Sequence, residues 1–394
     1  MLVRMAVGCR GKPATNKHRM YPELSNFAAR LRELIASRRL AFNEQQFSEL
    51  ALELFALQFK HNSAYRKICE SRTLTPLTVG HWTQIPAVPA TAFKELELTS
   101  IPPDERTVVF HSSGTTEQKP SRHFHCAESL AVYEAALWIW FQPQVFEVSG
   151  FRFQVSGLIA LTPPSARVPH SSLVYMFETI RHKAGGASVP ASRSPFYGGM
   201  EDDGTWTLDF DAILSALTAQ ISSPAPRASL LLGTAFSFVH LLDFLAEKNL
   251  RLQLPPGSRV METGGYKNRS RTLPKAELHT LITERLGVPR ENILCEYGMS
   301  ELSSQAYDSE VRSQKSEVRS FHFPPWAKVQ MISPETGREV AEGETGLIRI
   351  FDLANVFSVA AIQTEDLGVR RGDGFELIGR AQLAEPRGCS LMTA

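Results

Sequence analysis

The sequence predicts an α/β fold with largely parallel sheets behind a helical N-terminus. Three observations predict it. Strand-like apolar runs alternate with helical stretches from about residue 106 to 351, the most apolar window joins such a run to a stretch of helix length, and apolar residues near the N-terminus recur at helical spacing. With 394 residues the chain can bury a large core and is expected to divide into subdomains.

The first element is an amphipathic helix from Asn43 to about Phe59. Phe47, Leu50, Leu54 and Leu57 mark its core face, and Asn43 and Gln46 form a capping pair at its start. Pro86 and Pro89 then break the pattern, so residues 84–100 read as an extended connection. Strand-like runs follow at 106–110, 157–161, 229–232, 258–262, 292–296, 327–332 and 346–351. The apolar window 229–246 contains Ser237, His240 and Asp243 and is too short and polar to span a bilayer, so it reads as a buried strand followed by a core helix. Ser309–Ser313 (SEVRS) recurs as Ser316–Ser320; with nothing apolar to anchor a partner, this repeat reads as a solvated loop.

Composition narrows the function. Lys and Arg total 42 against 41 Asp and Glu, and no block of like charge stands out, which argues against nucleic acid and anionic membrane surfaces as partners. Cys9, Cys69, Cys126, Cys295 and Cys389 show no metal-ligand spacing, and their odd number suits a reducing compartment, by default the cytoplasm. The N-terminal MLVRMAVGCRGKP lacks the apolar core of a signal peptide, and no transmembrane segment is expected.

Two short strings carry the chemistry. HSSGTTEQKPSRH (111–123) follows the strand-like Thr107-Val108-Val109-Phe110 and places the hydroxyls of Ser112, Ser113, Thr115 and Thr116 around Gly114. Small residues let backbone N–H groups approach phosphate oxygens, and Lys119 can add charge. Taken alone, such a cluster after a strand is more often an ordinary turn. CEYGMSELSSQAY (295–307) follows Asn292-Ile293-Leu294 and offers a ring (Tyr297), a glycine (Gly298), a hydroxyl (Ser300) and a carboxylate (Glu301). A ring can stack on a base and a carboxylate can hold Mg²⁺, although such groups at a strand end are usually structural.

In this order the strings resemble the signature of acyl-adenylate-forming enzymes, SGTTG followed by Pro-Lys and then YGxTE. Further marks stand where that resemblance requires them: Met261-Glu262-Thr263-Gly264-Gly265 for the strand end beside adenine, Thr364-Glu365-Asp366 for the ribose-binding TGD segment, and Gly379-Arg380 at the end of the core. The segments LALELFALQFKHNSAYRKICE, IPAVPATAFKE, SSLVYMFE, GTAFSFVHLLDF, METGGYKNRSR and RGCSL resemble one branch, the acyl-protein synthetases of the bacterial bioluminescence fatty-acid reductase complex, from about residue 45 onward.

The resemblance implies the large N-terminal-type domain of adenylate-forming enzymes, layered αβαβα sheets with a small β subdomain. It divides the chain into a helical region (1–100) packed on the core, an acyl-adenylating core (101–380) and a tail (381–394). It implies ATP and Mg²⁺, with residues 112–116 and Lys119 on the phosphates, Gly264, Gly265, Tyr297 and Gly298 beside adenine, Ser300 at the α-phosphate, Glu301 on the metal, and Asp366 and Arg380 on the ribose. Only 14 residues, Ala381 to Ala394, follow Arg380. Most or all of the family's mobile C-terminal domain, with its adenylation lysine, is therefore expected to be missing. Cys389 matches the branch's acyl-accepting cysteine. The acyl group would then pass to an NADPH-dependent acyl reductase, in an association whose homo- or hetero-oligomeric form the sequence leaves open.

The chain departs from the pattern in two places. Glu117 replaces a glycine and Lys119-Pro120 reverses the usual order, while Glu365 stands where the ribose segment has glycine. His111, His123 and His125 flank the first string; His123 could guard the acyl site, but such histidines are more often hydrogen-bonded structure. Two other functions fit the same core: an aryl- or acyl-CoA ligase of the phenylacetate type, and a non-catalytic nucleotide-binding subunit of a reductase complex.

Overall fold

The computed structural model describes residues 21–37, 43–112, 119–148, 151–152, 157–185, 195–202, 204–225, 228–264, 273–308 and 319–381. Three helices come first: α1 (Pro22–Ala36), α2 (Glu44–His61) and α3 (Ser63–Ser71). The capping pair at α2 forms as the sequence predicts, the Asn43 side chain accepting from the Gln46 N–H and the Gln46 side chain from the Asn43 N–H.

The connection after α3 is more ordered than its prolines suggest. It contains a short strand β1 (Val88–Pro89) and a one-turn helix α4 (Ala92–Glu95). Next come the hairpin β2 (Val108–His111) and β3 (Arg122–His125), helix α5 (Ala127–Phe146), and the pair β4 (Glu147–Val148) and β5 (Phe151–Arg152).

An alternating stretch follows: β6 (Gly157–Ala160), α6 (Ser172–Gly185), the hairpin β7 (Gly198–Met200) and β8 (Trp206–Leu208), α7 (Phe210–Ile221), β9 (Ser229–Thr234), α8 (Ala235–Glu247), β10 (Arg259–Thr263), α9 (Lys275–Leu286) and β11 (Ile293–Tyr297). The described chain closes with β12 (Ala306–Asp308), β13 (Phe321–His322), β14 (Ala327–Ile332), β15 (Thr345–Asp352), β16 (Ala361–Arg371) and β17 (Gly374–Arg380).

Eleven strands form one mixed sheet in the order β14-β15-β16-β17-β13-β12-β11-β10-β9-β6, with β1 pairing β16. The expected parallel pairing holds for β6, β9, β10 and β11. Among β12 to β17 the pairing is antiparallel, and β16 and β17, which the apolar pattern does not mark, close it as a hairpin.

The parallel strands are apolar on both faces because helices cover both. Ile159, Leu231, Val260 and Ile293 pack with α7, α8 and α9, while Ala160, Leu230, Leu232, Met261 and Leu294 pack with α5 and α6. Alternate residues thus serve opposite layers. Helices α1 to α3 share a core with the antiparallel half, where Phe27, Phe47, Phe55 and Tyr65 lie in one cluster with Trp326, Phe351, Ile362 and Phe375. Among the described residues no helix is long and apolar enough to cross a membrane.

Candidate active site

The site is assembled where β11 ends and the β2/β3 hairpin reaches it. After Tyr297 the chain turns at Gly298, where any Cβ would collide with the carboxylate of Glu296, itself held by the Thr263 hydroxyl. We expect Gly298→Ala to cost about 1–3 kcal/mol. A lowered Tm that Glu296→Ala partly restores is the check.

The loop that follows is fastened from behind. Buried Asp352 accepts from the Ser303 N–H (3.0 Å), the Ser304 hydroxyl (2.7 Å) and the Ala354 N–H (2.9 Å), and Asn355 Nδ2 donates to the Glu301 carbonyl (2.9 Å). Gln58 on α2 grips the same segment, donating to the Asn355 carbonyl (2.8 Å) and accepting from the Ala360 N–H (3.1 Å). The N-terminal helices thereby brace the 300–304 loop. Burial pushes the Asp352 carboxyl up to about 6 against these donors.

The hairpin brings the two strings together. Ser121 Oγ lies 3.4 Å from Ser300 Oγ, the Ser121 N–H donates to Ser112 Oγ (3.0 Å), and His123 Nδ1 lies 2.9 Å from the Ser300 carbonyl. Because a carbonyl only accepts, His123 must carry its proton on Nδ1; burial lowers its pKa to about 4 and keeps it neutral. His125 is likewise buried, against Ser129, and His111 stacks on His170. His123 and His125 are thus hydrogen-bonded, whereas His111 is held by its stack on His170.

Glu301 is the buried carboxylate of this cluster. Ser300 Oγ donates to it (3.1 Å), and burial raises its pKa although the Ser121 and Ser300 hydroxyls oppose the shift. No basic side chain among the described residues pairs with it directly; Arg380 acts only through its field. A buried hard-oxygen acceptor without a cationic partner fits Mg²⁺.

On the far side, Asp366 sits opposite Arg380 in the β16/β17 ladder, with Arg380 Nε at 3.5 Å. Tyr297 also donates its hydroxyl to Asp366 (2.9 Å), its ring surrounded by Phe321, Phe323 and Phe375. Tyr297, expected beside adenine, therefore has its hydroxyl committed to the ribose-segment aspartate. Gly264 ends β10 with φ +68°, a conformation that favours glycine. Lys119 makes an exposed ion pair with Glu95 (3.3 Å). Ser113, Gly114, Thr115, Thr116, Gly265 and Cys389 lie outside the described residues.

Ser121, Asp352, Asn355 and Glu296 were not singled out from sequence. Ser121 stands inside the first string, directly after Pro120, and Glu296 inside the second, directly before Tyr297, so the strings themselves carried a signal for both; Asp352 and Asn355 had none. Burial pushes the Glu296 carboxyl up to about 7, with the Thr263 hydroxyl opposing and Glu262 adding to the rise. The folded state thus holds this proton above the ordinary carboxyl range. Its contribution, on the order of 3 kcal/mol, is present below about 4.5 and lost as pH rises through about 7. Glu296→Gln should flatten the fall in Tm across that window; an unchanged slope would contradict the assignment.

The comparisons agree with this architecture. A family model described as "Acyl-protein synthetase, LuxE" matches residues 189–394. The chain is 23% identical over 368 residues to the long-chain-fatty-acid–luciferin-component ligase of Aliivibrio fischeri, covering 90% of each chain. To the protein of that name from Vibrio harveyi it is 22% identical over 363 residues, covering 88% of this chain and 87% of the other.

Among solved structures, 2-hydroxyisobutyryl-CoA ligase in an open conformation with its acyl-AMP and CoA matches with a TM-score of 0.60 at 14% identity, over 86% of this chain and 69% of that one. Its postadenylation state matches at 0.58 and 14%, over 94% and 72%. At such identity the likeness concerns the fold, which is the adenylate-forming fold the resemblance implied. Since the family match spans the alternating β9–β11 half of the sheet, the 300–304 loop and the Asp366–Arg380 pair, the chain belongs to the acyl-protein synthetase (LuxE) family.

Proposed function

We propose that this protein activates a long-chain fatty acid with ATP as an acyl-adenylate, transfers the acyl group to its own Cys389 as a thioester, and delivers it to an NADPH-dependent acyl reductase. Residues 101–380 form the adenylating unit, residues 1–100 pack on it, and residues 381–394 carry the acceptor. The observation that carries the reading is the meeting of the two strings at Ser121, Ser300 and Glu301. Family membership and the names of the two curated relatives support the substrate class.

In the first step a carboxylate oxygen attacks the α-phosphorus and pyrophosphate leaves. Negative charge spreads over the phosphates, so catalysis rests on positioning and electrostatic stabilisation. On this reading Ser300 serves the α-phosphate, Ser112 to Thr116 the outer phosphates, joined by Lys119 once it leaves Glu95, and Gly264, Gly265, Tyr297 and Gly298 the adenine. Asp366, oriented by Tyr297 and Arg380, accepts from the ribose hydroxyls. Glu301 would hold Mg²⁺, which supplies neutralising charge when bound.

In the second step the Cys389 thiolate attacks the acyl carbonyl carbon, the thioester bond forms, and AMP leaves with the oxygen. A thiolate acceptor needs a reducing setting, by expectation the cytoplasm.

The test is pyrophosphate release from Mg-ATP without CoA, across a panel of carboxylic acids. Release that depends on a long-chain acid is expected. Release only after CoA is added would favour a CoA ligase, and none under any condition a non-catalytic subunit.

A further inference from the structure

A second cluster of ligand-type side chains lies on the α9 face of the sheet. Glu262 and Cys295 are register partners on adjacent parallel strands, so their side chains share a face, and helix α9 lays His279 across them. All three are buried, between 1% and 5% exposed. Cys295 Sγ lies 2.8 Å from Glu262 Oε1 and 3.5 Å from His279 Nε2, and that nitrogen lies 3.6 Å from Glu262 Oε1.

We propose that Glu262, His279 and Cys295 form a binding site for a zinc-like divalent cation, bracing β10, β11 and α9 beneath the strand ends that carry Gly264 and Tyr297. Tetrahedral zinc, with bonds of about 2.3 Å to sulfur and about 2.0–2.2 Å to nitrogen or oxygen, sets ligand atoms about 3.3–3.6 Å apart. Two of the three separations already have this size. The third needs Glu262 Oε1 to withdraw from the sulfur by about 0.7 Å, the shift expected when an ion replaces the thiol proton between them.

The donor set suits zinc, since thiolate and imidazole are softer than the oxygen ligands Mg²⁺ takes, and three protein ligands leave one position for water. Charge also balances. A thiolate and a carboxylate neutralise the dication, and the nearby Lys275 ammonium is already paired with Asp308 (3.2 Å), which also meets Arg319 (3.6 Å). Without an ion, burial and then the Glu262 charge hold the Cys295 thiol protonated; binding releases that proton to solvent as the sulfur–metal bond forms. The ligands stand at 262, 279 and 295, a spacing that no sequence motif marks.

The test is metal analysis of the full chain, produced without a metal-binding tag and gel-filtered in metal-free buffer. Wild type is expected to hold about one zinc per chain, with Cys295→Ala and His279→Ala strongly depleted. Cobalt-loaded wild type should show thiolate-to-cobalt charge transfer that Cys295→Ala lacks. This spectrum keeps the test decisive if His279→Ala fails to fold. Sub-stoichiometric zinc in wild type even after exposure to zinc, or content and spectrum unchanged in Cys295→Ala, would overturn the proposal.

Discussion

Glu301→Gln is expected to lower fatty-acid-dependent pyrophosphate release by about 10²-fold or more, the cost of losing one transition-state charge stabiliser, without lowering Tm. The substitution keeps the size of the side chain, and the amide oxygen it introduces can still accept from Ser300 Oγ, which donates to Glu301 at 3.1 Å. What it removes is the charge. In the folded protein that charge is costly, because burial raises the Glu301 pKa. The carboxyl's contribution to stability is therefore present at low pH and lost as pH rises through its raised pKa, so the neutral amide should be at least as stable as wild type near pH 7. Glu296 and Asp352 carry a similar cost in structural roles, so what sets Glu301 apart is its place between Ser121 and Ser300 where the two strings meet. Release within a few-fold of wild type would remove Glu301 from the mechanism.

Cys389→Ser should form acyl-adenylate yet carry no thioester, so that labelled fatty acid no longer stays with the denatured protein. A serine hydroxyl is a far weaker nucleophile than a thiol, a few per cent of which is thiolate at neutral pH. The length of the tail sets how far the acceptor can reach. The described chain ends with the Ala381 N–H bonded to the Glu365 carbonyl (2.9 Å), one residue from Asp366, which anchors the tail at the ribose side of the proposed site. From there eight residues lead to Cys389, a reach of up to about 26–29 Å. Label retained in the variant would place the acceptor elsewhere.

Legibility in the sequence followed the range of the interaction. The α2 cap could be read because Asn43 and Gln46 are three residues apart and satisfy each other locally. Strands β9 to β11 could be read because each holds a short apolar run, Leu230-Leu231-Leu232, Val260-Met261 and Ile293-Leu294-Cys295, as strands covered on both faces do. Strand β16 could not: its polar run Gln363-Thr364-Glu365-Asp366 breaks the apolar pattern, and its partners β15 and β17 satisfy the backbone instead.

The site divides in the same way. Ser300, Glu301 and Asp366 stand in short motifs, whereas Asp352 and Asn355 reach the 300–304 loop from about fifty residues away, and Gln58 reaches that support from nearly three hundred. Nothing in DLAN (352–355) distinguishes it from a turn. The Glu262–His279–Cys295 cluster was hidden because its members come from two strands and a helix.

The most direct test of self-acylation is the intact mass of the wild-type protein after incubation with Mg-ATP and single fatty acids, followed by peptide mapping. The account predicts one acyl-sized, hydroxylamine-sensitive increment, located on the peptide containing Cys389 and absent when ATP is omitted. No increment with any acid, together with AMP formed only once CoA is supplied, would contradict it.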